Sequence, residues 1–429
     1  MHSISLVLQI VVILAVGRAL AEVIRRLGQP VVIAEMLTGF VLGPAALGEL
    51  FPQWIGAVFP VSGIGGLQAL GEIGLALFMF VVGAELCLPS SAPRGARLAS
   101  TLVGTLSIAV PALLALAIAP LLFSYAPVGV AFWPFALFFS LAMATTAVPV
   151  MAHMLKERGQ VNSDAGMISL SAATLGDVFV WLSLPLVLGI AKAKTDLAGA
   201  TGTIMGLLVL VAIAMLLVRP LVATRWSRAP AGKVGMGTIG ALLAGALTFA
   251  AITDWLGLHS VFGALLFGLC LPRDKRLLAA LEDAILPISA LVLLPCFFAV
   301  AGLNTTGDGF RGVGPVLILV LMVAIIGKLA GGAMGAKLAG RSWQTAVSVG
   351  VLMNTRGMME LVVLKIGYDA GLLSGTQFSM IFIMAIVTTA MTNPLLNLID
   401  RFLRQPEPIG LHAASGSSDV ADTTDIEPA

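Results

Sequence analysis

Four ionisable residues stand inside long apolar runs, where charge is costly: Asp177, Lys328, Arg356 and Glu360. Each should face protein or water and have a partner. Their formal charges sum to zero, which suits one shared polar centre. Asp177, within SAATLGDVFVW (171–181), has no basic residue within a helical turn, so local pairing cannot neutralise it. Two roles are open to it. A poorly hydrated carboxylate can bind a cation and a proton in turn, because the two then compete. Alternatively, it is a structural aspartate paired across helices.

Two polar interruptions accompany these charges. The first is TTAVP, from Thr145 to Pro149, and the second is NTRG, from Asn354 to Gly357. Pro149 removes a backbone donor and frees carbonyls one turn earlier. Freed carbonyls and the hydroxyls of Thr145 and Thr146 are hard oxygen ligands suited to an alkali cation. Asp177 and Thr145 are thus the candidates for transient contact with Na+ or K+. A kinked membrane helix with threonines is also ordinary architecture. Arg356 and Glu360, four apart, share a helix face and can pair. This favours a structural role in offsetting the partial charges of broken helix ends, with direct participation in transport as the alternative. Lys328 lies beside Gly327, Gly331 and Gly335, a ridge that lets a neighbouring helix approach closely. It either pairs with Asp177 or another carboxylate, or releases a proton itself. Glu35, Glu72 and Glu85 read as packing or funnel residues, and Asp254 and Lys365 as interfacial.

The elements that hold these residues follow from composition. Apolar residues make up 59% of the 429 and charged residues 11%, against about 25% charged in a soluble domain. A surface so poor in charge must face lipid. The abundance of glycine, 47 residues against 2 tyrosines, fits closely packed membrane helices. Cys87, Cys270 and Cys296 form no disulfide framework, and the four histidines show no metal-ligand spacing. No cofactor and no resident metal are expected, and the glycines from Gly63 to Gly74 form no nucleotide-binding motif. The amino-terminal apolar run lacks a basic leader and a clean cleavage motif, and reads as a retained span.

A span needs about 20 apolar residues. Thirteen are predicted, near 3–24, 31–48, 64–87, 100–123, 133–154, 165–191, 199–223, 236–254, 257–271, 284–303, 313–339, 343–368 and 376–402. With the amino terminus outside, seventeen Lys and Arg residues fall in inside connections, and only Lys192, Lys194 and Arg311 fall outside. That alternation supports the count and puts the carboxyl terminus in the cytoplasm. Residues 1–404 form the transmembrane domain, and the polar stretch 405–429 reads as a disordered cytoplasmic tail. The two interruptions lie in the fifth and twelfth spans. Seven spans apart, they run in opposite directions, as inverted repeats over about 3–191 and 236–402 require. Paired broken helices point to a binding site. The fold class is therefore an all-α polytopic membrane protein of about 13 transmembrane helices, with two broken crossing helices.

Seven segments in order resemble the second monovalent cation:proton antiporter family, which includes Kef-type and Nap-type bacterial carriers and plant cation/proton exchangers. They include LGQPVVIAEMLTGFVLGP (27–44), LAMATTAVPVMAHMLKE (141–157), SAATLGDVFVW (171–181) and GVLMNTRGMMELVVLKIG (350–367). The resemblance covers about residues 5–400. It implies a Na+/H+ antiporter-like fold, a homodimer in the inner (plasma) membrane, and interleaved dimerisation and core subdomains. Asp177 matches the family's ion-binding aspartate, Thr145 and Thr146 its unwound-helix ligands, and Lys328 a core-helix lysine. Arg356 and Glu360 match charged positions of the twelfth span.

Two departures are visible. The family's Asn, Gln or second Asp before the working aspartate is replaced by Gly176, which implies one-for-one, electroneutral exchange of Na+ or K+ for protons. The short polar tail after the last span leads us to expect no regulatory nucleotide-binding domain of the Kef type, and no nucleic-acid partner is expected. Competing readings are a cation-coupled symporter on a similar core, a channel, and an intramembrane aspartyl protease. A channel needs a continuous polar path, whereas the polar residues here cluster at one depth. The protease needs two facing mid-membrane aspartates, and Asp369 falls at a span end. No enzyme activity is expected.

Overall fold

The computed structural model describes residues 6–44, 46–60, 63–85, 94–193, 197–227, 234–303 and 314–403. The predicted tail, 405–429, lies outside them. The described residues are helical and form no strand. The membrane segments are α1 (Leu6–Arg26), α2 (Val31–Leu42), α3 (Ile64–Glu85), α4 (Arg94–Phe123), the broken pair α5 (Phe132–Ala144) and α6 (Val148–Glu157), and α7 (Asp164–Ala193). Then follow α8 (Leu197–Ile213, continuing through one π turn into Arg219–Ser227), α9 (Met236–Trp255), α10 (Ser260–Leu269) and α11 (Lys275–Leu303). The last are α12 (Gly314–Leu338), the broken pair α13 (Trp343–Met353) and α14 (Met358–Asp369), and α15 (Gly375–Leu403). Eleven described segments are long and apolar enough to span, α13 and α14 join at 43°, and α10 is shorter. Together they correspond to the thirteen predicted spans.

Two boundaries differ from expectation. α11 begins at Lys275 rather than near 284, because the Asp274 carboxylate accepts a hydrogen bond from the Arg276 amide at 2.8 Å and caps it. Its first turns are amphipathic, with Leu277, Leu281 and Ile285 buried, so an all-apolar window misses them. α10 has ten residues, too few to cross at 1.5 Å per residue.

The helices pack as two groups. One holds α4 to α7 with α12 to α15, and the other holds α1 to α3 with α9 to α11. Small residues set both. In the first group α12 lies against α4 with backbones touching. A Cβ on Gly335 would come 2.6 Å from Val103 Cα, one on Gly327 2.8 Å from Pro111 Cα, and one on Gly331 closer still to the Leu106 carbonyl. The predicted glycine ridge therefore faces α4. In the second group Gly39 and Gly302 bring α2 and α11 together, and Gly83 and Gly268 do so for α3 and α10.

The helix ends define two faces. On one, Arg158 at the end of α6 pairs with Asp400 of α15 at 2.6 Å, and Arg341 after α12 pairs with Asp164 of α7 at 3.3 Å. This is the basic face. On the opposite face a cavity of about 480 Å³ is lined by Lys192, Asp254, His259 and Asp369 among others.

Gly331→Ala is expected to force α12 off α4 at a cost of about 1–3 kcal/mol, read as a lower melting temperature in detergent. Gly240→Ala on α9, with open space around its would-be Cβ, should leave that temperature unchanged.

Candidate functional site

α5 ends at Ala144 because Thr145 leaves the helix with extended backbone, and α6 restarts at Val148 with Pro149 in its first turn. α13 stops at Met353, and α14 restarts after Gly357. The two breaks touch. The Ala147 amide donates to the Thr355 carbonyl at 3.0 Å, and the Thr146 hydroxyl donates to the Met353 carbonyl at 3.2 Å. Gly357 allows this approach, since a Cβ there would lie 2.6 Å from Val150 Cγ2 and 3.2 Å from Ala147 Cβ.

Breaking a helix in a membrane leaves carbonyls and amides that lipid cannot satisfy. At the end of α5 two cations satisfy them. Arg356, with no exposed surface, donates to the carbonyls of Ala142 at 3.2 Å and Met143 at 2.8 Å. Lys328, equally buried, donates to the Ala144 carbonyl at 2.5 Å and to Thr146 Oγ1 at 2.7 Å. Positive charge at the negative end of a half-helix is favourable. Glu360, in the first turn of α14, accepts from Arg356 at 2.8 Å. The i to i+4 spacing of Arg356 and Glu360 thus gives a buried pair.

Lys328 is held by a carbonyl and a hydroxyl, so the alternative in which it pairs directly with Asp177 does not describe this conformation. Thr145 and Thr146 do sit at the break, but their hydroxyls are engaged there. Thr145 donates back to the Ala142 carbonyl at 2.9 Å, and Thr146 holds Lys328 and Met353. Asp177 of α7 is 6% exposed and, among the described residues, makes no hydrogen bond or ion pair. Lys328 is the charge that acts on it through space. Gly176 leaves room beside it, with only Ile108 within 4 Å of a would-be Cβ.

Some contributors were not singled out in the sequence. Thr389 of α15 accepts from the Arg356 amide at 3.0 Å and lies 2.7 Å from the Arg356 carbonyl. Asn354 donates its side-chain amide to the Thr388 carbonyl at 3.2 Å. The signal was present as TTAMTN (388–393), a polar run inside an apolar span. Lys365, near the end of α14, is buried and paired with Asp369, which lines the cavity.

Two interrupted helices crossing at mid-depth beside a lone carboxylate define a membrane carrier of inverted-repeat architecture. Residues 11–398 match the model of the sodium/hydrogen exchanger transmembrane family, and the chain belongs to that family. The Na(+)/H(+) antiporter NhaS4 of Synechocystis sp. is 34% identical over 400 residues, covering 90% of this chain and 95% of the relative. Cation/H(+) antiporter 19 of Arabidopsis thaliana is 32% identical over 406 residues, covering 94% of this chain and 50% of the relative. The chain spans about half the length of such plant relatives. The sodium proton antiporter MjNhaP1 of Methanocaldococcus jannaschii shares the fold, with a TM-score of 0.61 at 16% identity over 90% of this chain and 97% of that one.

Arg356→Ala should cost about 3–5 kcal/mol, because it strands Glu360 as a buried charge. A thermal melt reads this as a large fall. Glu360→Gln keeps an acceptor for Arg356 and should fall less. An Arg356→Ala protein with unchanged melting would point to a direct transport role instead.

Proposed function

We propose that this chain exchanges a monovalent cation, Na+ or K+, for protons across the membrane by alternating access, with Asp177 as the shared site. The observation that carries this reading is the isolation of Asp177: it is buried, it is unpartnered among the described residues, and it lies on a helix packed against both crossing segments. Arg356 and Glu360 neutralise each other, and Lys328 is committed to the end of α5. A bare Asp177 is therefore the group left to take a counter-ion. A proton or a cation each supplies one positive charge, so the two occupied forms carry equal charge. One-for-one exchange is electroneutral for that reason, and Gly176 adds no second carboxylate.

In the proposed cycle Asp177 releases its proton to one side and binds a cation there, with Thr145 and Thr146 as neighbouring oxygen ligands once the crossing rearranges. It releases the cation to the other side as a proton replaces it. The group holding the crossing (α4 to α7 and α12 to α15) is the mobile core, and the other group is the panel that supports a homodimer. The basic face is cytoplasmic, which puts the amino terminus outside and the chain in the inner or plasma membrane. Relatives described as Na+/H+ and K+/H+ antiporters support both cations.

Asp177→Asn should abolish cation-driven proton flux in everted vesicles, followed with a pH-sensitive dye against Na+, K+, Li+ and Rb+, while the protein melts normally. Retained flux would remove Asp177 from the role. Exchange by the unaltered chain should also proceed at the same rate when valinomycin and K+ gradients set different membrane potentials. A clear voltage dependence would count against one-for-one exchange.

A further inference from the structure

An aromatic contact lies on the side of Asp177 that faces the cavity. Trp181 stands one turn beyond Asp177 on the same side of α7, and its ring meets Phe262 of α10 edge to face, with centroids 6.2 Å apart and planes at 70°. Both side chains are buried, at 4% and 5% exposure. Further along α7, Leu188 lines the cavity; so do Leu258 and His259, the residues just before α10. Leu188 is seven residues past Trp181, about 10 Å along the helix. On α7 the contact therefore lies between Asp177 and the cavity-lining Leu188, and on α10 Phe262 stands three residues past the cavity-lining His259. The two helices also belong to different groups: α7 to the one with the crossing, α10 to the other.

The indole N–H of Trp181 is buried and has no hydrogen-bond partner among the described residues. Buried donors in native proteins are almost always satisfied, and an orphan is destabilising. Parting Trp181 from Phe262 would let water from the cavity reach that N–H. The orphan donor thus works against the closed contact.

We propose that Trp181 and Phe262 form the gate on the opposite face, sealing Asp177 from the cavity by their aromatic contact, and that the unpartnered indole N–H keeps the seal weak enough to open. Neither residue needs to touch the cation. The inference deepens the reading of Asp177 as the exchange site.

Access to Asp177 can be measured without transport. Vesicles of the full chain are exposed to a hydrophilic carbodiimide with an amine nucleophile, and amidation of Asp177 is quantified by mass spectrometry. Asp369, which lines the cavity, reports whether the reagent has reached that face. Phe262→Ala should raise Asp177 amidation relative to Asp369 by on the order of tenfold, by shifting the closed population towards open. Trp181→Phe keeps an aromatic ring, smaller than the indole, and removes the N–H; it should lower amidation by a comparable factor, on the order of tenfold. Phe262→Ala removes a buried ring and should melt lower, so Phe262→Leu serves if it does not fold. Opposite shifts are the signature of a gate, because loss of packing alone moves both variants the same way. Unchanged amidation in the Phe262 variants, or a rise in Trp181→Phe, would overturn the proposal. The two readings fail separately: flux retained by Asp177→Asn removes the site, whereas unchanged amidation removes the gate.

Discussion

Arg356 stands with its guanidinium against the last carbonyls of a helix to which it does not belong, and the rest of the centre is arranged around that contact. A helix interrupted in hydrocarbon leaves peptide groups without partners, and each is expensive to leave unmade. The carbonyls of Ala142 and Met143 need a donor, and a buried guanidinium needs acceptors and a counter-charge. Glu360 supplies that charge from the next turn. Thr389 fixes the Arg356 backbone from α15. Interruption, cation and carboxylate thus form one unit, in which each part removes the cost of another.

The consequence falls on Asp177. Had Arg356 or Lys328 been free to approach it, the aspartate would be a structural pair, and a cation would have to displace a tethered partner. Both are held at the end of α5, with Lys328 also fixed by Thr146. That placement relies on backbone contact between α12 and α4 along Gly327, Gly331 and Gly335, because a bulkier face would lift Lys328 away from the Ala144 carbonyl. Packing at small residues and electrostatics at mid-depth are therefore linked through one helix.

The two helix groups differ in what they bury. The group with the crossing carries the charged centre, whereas the other joins its helices mainly through glycine contacts and apolar side chains. Relative movement of the groups would leave the compensated charges within one body, so desolvated ion pairs need not break. Contacts such as Trp181 on Phe262 are aromatic instead, and such contacts can part and reform at modest cost.

Much of this was legible in the chain alone. Apolar length and the alternation of Lys and Arg counted the membrane segments, since both reflect solvation, a property of local sequence. The polar residues TTAVP and NTRG located the breaks, and the four-residue spacing of Arg356 and Glu360 gave their pairing, since helix geometry fixes which neighbours meet. The amphipathic start of α11 escaped an apolar window. The roles of Thr389 and Lys365, and the orphan N–H of Trp181, needed the fold. So did the partners of Lys328: the sequence left it free to pair with Asp177, and only the crossing of α5 and α13 offered it a carbonyl and a hydroxyl instead. Sequence determined which groups had to find partners in the membrane. Tertiary structure decided which partners they found, because hydrogen bonds such as that from Arg356 to the Ala142 carbonyl, 214 positions away, depend on helix crossings that no local pattern encodes.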